Sequence, residues 1–385
     1  MFKMNKREEI QNEALEVAKN HRKCGLAISM GVGKTLIGLK YIDYLNDLNM
    51  GKLNVLIVAP KVSIFDSWQA DAEKFSIALD PDHVKFTTYL SMNKHNPGDY
   101  DLVILDECHS LLDTHRAFLG MYTGRILGLT GTPPRYERSE KGQIVAEYCP
   151  MLYHYITDDA VDDQILNDYL ICVHILELSD SNTFKVETKS KTFYTSERKN
   201  YQYWTKRIMQ AETKKQEQIA SVMRMRAMMD YVTKEDYTRN LMGTMTEKTI
   251  VFCNTQEQSD RICKYSYHSS NPDSEENLEQ FRKGKINQLS CVLQLNEGVN
   301  IKNLKAGIIM HAYGNERKSS QRIGRLLRLN PDDTAEIHIL CYNDTVDVKW
   351  VREALKDFDP KKIKYVTVED QEDTDNDSAF YGQIH

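Results

Sequence analysis

The chain has 385 residues, 41% hydrophobic and 28% charged, which is enough for two or three domains with their own cores and argues against wholesale disorder. Its net charge is −6, but residues 369–377 hold six acidic side chains and no basic one, so the remaining body is neutral and leaves room for a basic groove balanced by acidic faces. The longest apolar runs are far too short to cross a bilayer, and the eight cysteines form no CxxC pair, so no membrane segment and no structural metal are expected. The N-terminus carries no secretory pattern, and reduced thiols in a cytoplasmic protein are the expectation.

In chain order, residues 25–28 read as a strand running into a glycine-bearing loop, and 35–48 as the helix that follows. Short apolar runs at 55–58, 102–105 and 126–129 read as further buried strands. Residues 181–246 differ in character: from Lys185 to Lys248 there are 14 Lys or Arg against 8 Asp or Glu. Met223, Met225, Met228 and Met229 with Arg224 and Arg226 predict a long helix there. It reads either as a solvated connector packed by its methionines or as a phosphate-tracking surface. A second strand series follows at 249–252, 290–293, 306–309 and 336–340. Apolar runs alternating with amphipathic stretches predict an α/β fold of two lobes, each a mostly parallel sheet flanked by helices. The expected boundaries are 1–165 and 166–360, with the basic helical insert opening the second lobe and an acidic, disordered tail at 369–385.

Three motifs carry chemistry. Gly31-Val32-Gly33-Lys34-Thr35 can turn backbone N–H groups toward phosphates, with Lys34 on the β- and γ-phosphates of ATP and Thr35 on magnesium, although Ile28 stands where the strict loop pattern has its first glycine. Asp106 and Glu107 follow an apolar strand and so fall at the carboxyl edge of a sheet, where ligands of open α/β folds bind. There Asp106 would hold Mg²⁺ and Glu107 would deprotonate an attacking water. Gln321, Arg325 and Arg328 share one helix face, and arginines so placed would complete a phosphoryl-transfer site.

Taken together, the glycine loop, Asp106-Glu107-Cys108-His109, Leu129-Thr130-Gly131-Thr132-Pro133 and the block from Gln321 to Arg328 resemble superfamily 2 helicases and translocases over residues 6 to 345. The closest look is that of the phage UvsW-type and the XPB-type DNA helicases, and SNF2-type translocases share much of the pattern. The resemblance implies two tandem RecA-like lobes. Arg7 and Gln11 would then read adenine, and Gly298 and Asn300, in a loop of coupling type, would also face the nucleotide. Pro60, Lys61, Thr87, Asn254 and Gln294 would contact nucleic acid, while His109, Thr130, Gly131 and Thr132 would couple hydrolysis to movement. Trp68 falls in the first strand-contact motif, but its residue type favours a packed core position.

The resemblance implies an ATP-dependent helicase or translocase that moves along DNA and unwinds or remodels duplex or branched DNA. An RNA helicase, or an ATP-dependent clamp without strand separation, are the alternatives. The compact core suits a viral or phage enzyme of repair or recombination, acting in the host cytoplasm. The expected partners are single-stranded, duplex or branched DNA, or RNA, with a basic protein as the partner the acidic tail would recruit.

Overall fold

The computed structural model describes residues 5–29, 31–134, 138–187, 191–292, 304–312, 334–356 and 358–368. The acidic tail, the loop bearing Gln294, Gly298 and Asn300, and the block with Gln321, Arg325 and Arg328 lie outside these residues. The chain forms two compact units, one built on residues up to Asp168 and the other on Tyr169 onward.

The first unit runs α1 (Lys6–Asn20), β1 (Lys23–Ile28), α2 (Lys34–Leu48), β2 (Val55–Ala59), α3 (Ser63–Lys74), β3 (Val84–Thr88), β4 (Leu102–Asp106), α4 (Arg116–Leu119), β5 (Arg125–Thr130), α5 (Glu140–Tyr148), β6 (Met151–Tyr155) and α6 (Thr157–Asp162). Its six strands lie in the order β3-β2-β4-β5-β1-β6, and every pair is parallel. All five residues of β2 and of β4 are buried. A parallel strand covered by helices on both faces has no solvent side, which is why these runs show no alternation in sequence. The edge strand β6 is half exposed and mixes polar with apolar residues, so it carries no such signal.

The second unit runs β7 (Asp168–Leu176), β8 (Phe184–Glu187), β9 (Thr192–Thr195), α7 (Glu197–Met209), α8 (Lys214–Met229), α9 (Val232–Thr244), β10 (Thr249–Cys253), α10 (Gln256–Ile262), β11 (Ser266–Tyr267), α11 (Ser274–Arg282), β12 (Gln288–Val292), β13 (Ala306–Ile309), β14 (Thr334–Tyr342), α12 (Val346–Leu355) and β15 (Ile363–Thr367). Its main sheet has the order β11-β12-β10-β13-β14-β7-β15, while β8 and β9 form a separate antiparallel hairpin. Both units are thus helix-flanked, largely parallel sheets of RecA-like type.

The long helix expected around Met223 to Met229 is α8, and the basic insert is not that helix alone but the β8–β9 hairpin followed by three helices, with the break between α8 and α9 at Asp230 and Tyr231. Tyr231 is fully buried, its hydroxyl donating to Asn200 Oδ1 at 3.0 Å and its ring edge-on to Tyr342. Its extended backbone, φ −69° and ψ 137°, turns the chain so that this ring can enter the core. Met228 and Met229 are buried beside it and Met223 is exposed, so the methionines pack only the end of α8.

Nor is the insert uniformly solvated. Lys234 is completely buried and ion-paired with Asp347, and its ammonium also donates to the Leu340 carbonyl at 3.0 Å and lies over the Tyr342 ring. Asp347 in turn accepts from the Tyr342 N–H at 3.0 Å. This cluster ties α9 to β14 and α12. Removing one member strands the other charge in the core, so Asp347→Ala is expected to destabilise the second unit by about 3–5 kcal/mol, with the Lys234→Met/Asp347→Leu pair recovering most of it. Urea unfolding followed through the second unit's transition checks this.

Cys172, Glu336 and His338 place three potential ligand atoms within 4.8 Å of one another, a grouping made by β7 and β14 and so absent from the sequence spacing. A run of ordinary polar contacts engages its histidine and glutamate: Tyr237 Oη to His174 Nδ1 at 2.8 Å, His174 Nε2 to His338 Nδ1 at 2.9 Å, and His338 Nε2 to Glu336 Oε1 at 3.3 Å. Burial, with His338 as neighbour, pushes the His174 pKa down from 6.5 to about 4. In that window the unfolded chain binds a proton that the folded protein refuses, so stability is full above pH 6.5 and falls as the pH drops toward 4. Thermal melts at pH 7 and pH 5 should therefore separate less in His174→Gln than in the wild type.

Candidate nucleotide-binding site

Parallel pairing sets the site. Asp106, the last residue of β4, stands opposite Leu129 of β5, and Thr130 at the end of β5 stands opposite Ala27 of β1. The carboxyl ends of β4, β5 and β1 therefore lie side by side, with the glycine loop rising from β1 into α2.

Gly31 and Gly33 have φ of 91° and 105°. At Gly33 a Cβ would also fall 2.7 Å from Gln11 Nε2, so any side chain there would be strained and would displace Gln11. The N-terminus of α2 has no side-chain cap and no acidic residue in its first turn, which leaves its backbone donors suited to an anion. Val32 is buried, its carbonyl accepting from Gln11 Nε2 at 2.7 Å, while Gln11 Oε1 accepts from Lys40 Nζ at 3.3 Å. Gln11 is thus a brace for the loop, and Arg7 donates to the Ile165 carbonyl at 3.3 Å. Lys34 Nζ lies 3.3 Å from the Ile28 carbonyl, folded back over its own loop next to Thr35.

The two carboxylates are held differently. Asp106 is 8% exposed: Oδ2 accepts from the Trp68 indole at 2.8 Å and Oδ1 from the Glu107 N–H at 3.0 Å. The Tyr89 hydroxyl donates to the Asp106 carbonyl at 3.0 Å, and burial pushes its pKa well above the ordinary phenol value, so it stays a donor. Glu107 sits at φ 51° and ψ 52°, a left-handed conformation uncommon for a residue with a side chain. Its Oε2 is buried without a hydrogen bond among the described residues, 3.3 Å from His109 Nδ1. Cys108 between them has its thiol pushed well up by burial and stays protonated, which makes it an inert packing group.

His109 links Glu107 to the next strand. Its Nδ1 lies 2.8 Å from Thr130 Oγ1 and 3.3 Å from Thr132 Oγ1, and the Thr132 N–H donates to Thr130 Oγ1 at 3.0 Å. Gly131 stands between the two threonines. One imidazole thus gathers Glu107, Thr130 and Thr132, a convergence that two separate sequence motifs only suggest.

The expected strand contacts divide. Lys61 is exposed and Pro60 half-buried, but Thr87 is 6% exposed, although Lys85 on the same face of β3 is exposed; a contact there would have to be made by its neighbours or backbone. In the second unit the Asn254 side chain is buried, and among the described residues neither its Nδ2 nor its Oδ1 has a hydrogen-bond partner. His268 is tied to Asp260 at 2.8 Å, a structural pairing. Trp68, whose residue type favoured a core position, and Tyr89 both support Asp106. No local pattern announces that, since Trp68 is 38 residues away in the chain.

A phosphate-shaped loop, two carboxylates at the sheet edge and a second RecA-like unit define an ATPase of two α/β lobes. Residues 3–135 match the family model of the type III restriction enzyme res subunit, and residues 233–330 match that of the helicase conserved C-terminal domain. The chain belongs to the superfamily 2 helicases, as an ATP-dependent enzyme of helicase or translocase type. It is 23% identical over 365 aligned residues, 86% of this chain and 80% of the relative, to DNA 3'-5' translocase XPB2 of Sulfurisphaera tokodaii. The ATP-dependent type ISP restriction-modification enzyme LlaBIII, in its DNA-bound structure, shares the fold at TM-score 0.63 and 16% identity over 97% of this chain, which spans about a third (32%) of the LlaBIII chain. A fragment assigned to the HsdR subunit of a type I restriction enzyme from Vibrio vulnificus YJ016 gives 0.61 and 16%, covering 94% of this chain and 68% of that one. No helix among the described residues is long and apolar enough to cross a membrane.

Thr130→Val keeps the shape of the side chain and deletes the hydroxyl at His109. It is expected to leave nucleotide affinity unchanged and to lower kcat by about tenfold, the equivalent of one buried hydrogen bond of about 1.4 kcal/mol. Steady-state ATPase rates beside a fluorescent-nucleotide titration check this, and an unchanged kcat would remove His109 and Thr130 from the catalytic path.

Proposed function

We propose that the protein is a DNA-stimulated ATPase that moves along DNA and remodels duplex or branched DNA. The observation that carries the DNA assignment is the alignment, running through both units, with a relative named as a DNA translocase. The ATPase chemistry rests on the site itself. The backbone of Gly31 to Gly33 and the Lys34 ammonium hold the β- and γ-phosphates. Thr35 and Asp106 would hold Mg²⁺, which when bound neutralises phosphate charge. The donor set, a hydroxyl and a carboxylate whose plane is already fixed by two hydrogen bonds, fits such an ion.

Glu107 takes a proton from the attacking water as the water oxygen bonds to the γ-phosphorus and the bond to the ADP oxygen breaks. Its Oε2, buried and without a hydrogen bond among the described residues, is the acceptor for that proton. Protonation changes what His109 Nδ1 faces, and Thr130 and Thr132, which meet that same nitrogen, receive the change. Arg325 and Arg328, aligned by Gln321, are proposed to neutralise the charge that develops on the transferring phosphoryl group. Pro60 and Lys61 of the first unit and Asn254 of the second are proposed as strand contacts, joined by Gln294. Gly298 and Asn300 are proposed to answer to the nucleotide.

Glu107→Gln should bind ATP normally while losing about 10²–10⁴ in kcat, and Arg325→Ala or Arg328→Ala should lose about 10³–10⁵. ATPase rates measured against single strands, duplexes, forks and four-way junctions of DNA and matched RNA test the substrate, with DNA expected to stimulate more. Equal or greater stimulation by RNA overturns the DNA assignment, and failure to displace a triplex strand overturns movement in favour of a clamp.

A further inference from the structure

Trp68 is fully buried in α3, where an indole must find a partner for its N–H. That partner is Asp106 Oδ2, at 2.8 Å. The ring is let in by a glycine: a Cβ at Gly38 of α2 would fall 2.5 Å from Trp68 Cη2, and also 3.4 Å from Leu129 Cδ1. One side chain therefore packs against the helix that carries Lys34 and Thr35 and bonds the residue that ends β4. A phenyl ring would fill most of this volume, so packing alone does not call for an N–H.

The two donors to Asp106 have separate origins. Oδ1 is held locally by the Glu107 N–H, whereas Oδ2 is held by a residue from a different helix. A carboxylate offers about four acceptor positions, and donors on both oxygens fix its plane. Helix α3 begins at Ser63, two residues after Lys61, the exposed lysine of the proposed strand contact.

We propose that Trp68 is the positioning residue for Asp106, its indole N–H setting the carboxylate plane for magnesium from the same helix whose start follows the Pro60-Lys61 strand contact. A shift of α3 on nucleic-acid binding is then felt at the metal-holding oxygen, which supplies a direct route from strand contact to ATPase stimulation. This rests on the nucleotide-site reading given above.

The test uses the full chain and Mn²⁺ as the probe, with binding read by electron paramagnetic resonance in the presence of a non-hydrolysable ATP analogue. Trp68→Phe removes the donor and keeps an aromatic ring; it is expected to weaken Mn²⁺ binding by about tenfold, as loss of a group orienting a metal ligand does, with affinity for the metal-free analogue unchanged. The Mg²⁺ concentration giving half-maximal ATPase should rise in step, and DNA stimulation should fall. Gly38→Ala, which retains the indole and displaces it, should weaken Mn²⁺ binding in the same direction. Wild-type Mn²⁺ affinity and Mg²⁺ dependence in Trp68→Phe, with only a lowered melting temperature, would overturn the proposal and leave Trp68 a packing residue. A wild-type protein that binds the analogue but no Mn²⁺ with it would instead overturn the nucleotide-site reading, and this proposal with it.

Discussion

Parallel pairing of β4, β5 and β1 is the constraint on which the site depends. Because the three strands point the same way and lie next to one another, their carboxyl ends deliver Asp106, Thr130 and the glycine loop to a single edge. A parallel sheet also requires crossovers, and each crossover ends by feeding a helix onto a face of the sheet. The helices α2 and α3 that cover the sheet are the ones that carry the phosphate loop and Trp68. Scaffold and site are thus built by the same connections.

Within that frame the site is tightly specified on one side and left open on the other. Asp106 is held through both carboxylate oxygens and through its carbonyl, and the loop is braced by Gln11 and Lys40. Glu107 is the contrast: it adopts a backbone conformation that typically costs about 1–3 kcal/mol for a residue with a side chain, and it buries an oxygen with no hydrogen bond among the described residues. The surrounding core, with Cys108, Leu105 and Tyr89 buried in one cluster, makes that strain tolerable. Strain at the proposed base beside order at the proposed metal ligand is what a site needs when one group must stay put and its neighbour must change state.

The second unit shows how a charged segment can be structural at its root. Lys234 lies in the basic insert but is buried against Asp347 and Tyr342. Glu235 beside it, also buried, pairs with Arg261 of α10 and with Arg239. Charge is therefore used on one side of α9 to join it to the sheet and α10, while α7 and α8 pack chiefly on each other and expose Tyr203, Met209 and Ile219. Counting charges along the insert cannot separate these two uses, since both read as basic helix.

Much of the molecule was legible in the chain alone. Strands buried on both faces appear as unbroken apolar runs, and a phosphate loop or a strand-end carboxylate pair is local, so β1, β2, β4, β5, β10 and β13 and the residues Gly31 to Thr35 and Asp106 to His109 could be read directly. Edge strands such as β6 and β15 face solvent on part of their surface and blend into loops, and the turn at Tyr231 depends on a pocket formed by Asn200 and Tyr342, far away in sequence. Gln11 as a loop brace, Thr87 as a buried residue and Trp68 as the donor to Asp106 were likewise decided only by tertiary structure. The physical reason is the same in each case: residue type and spacing fix what a side chain can do, but which partner it meets is set by sheet order and helix packing.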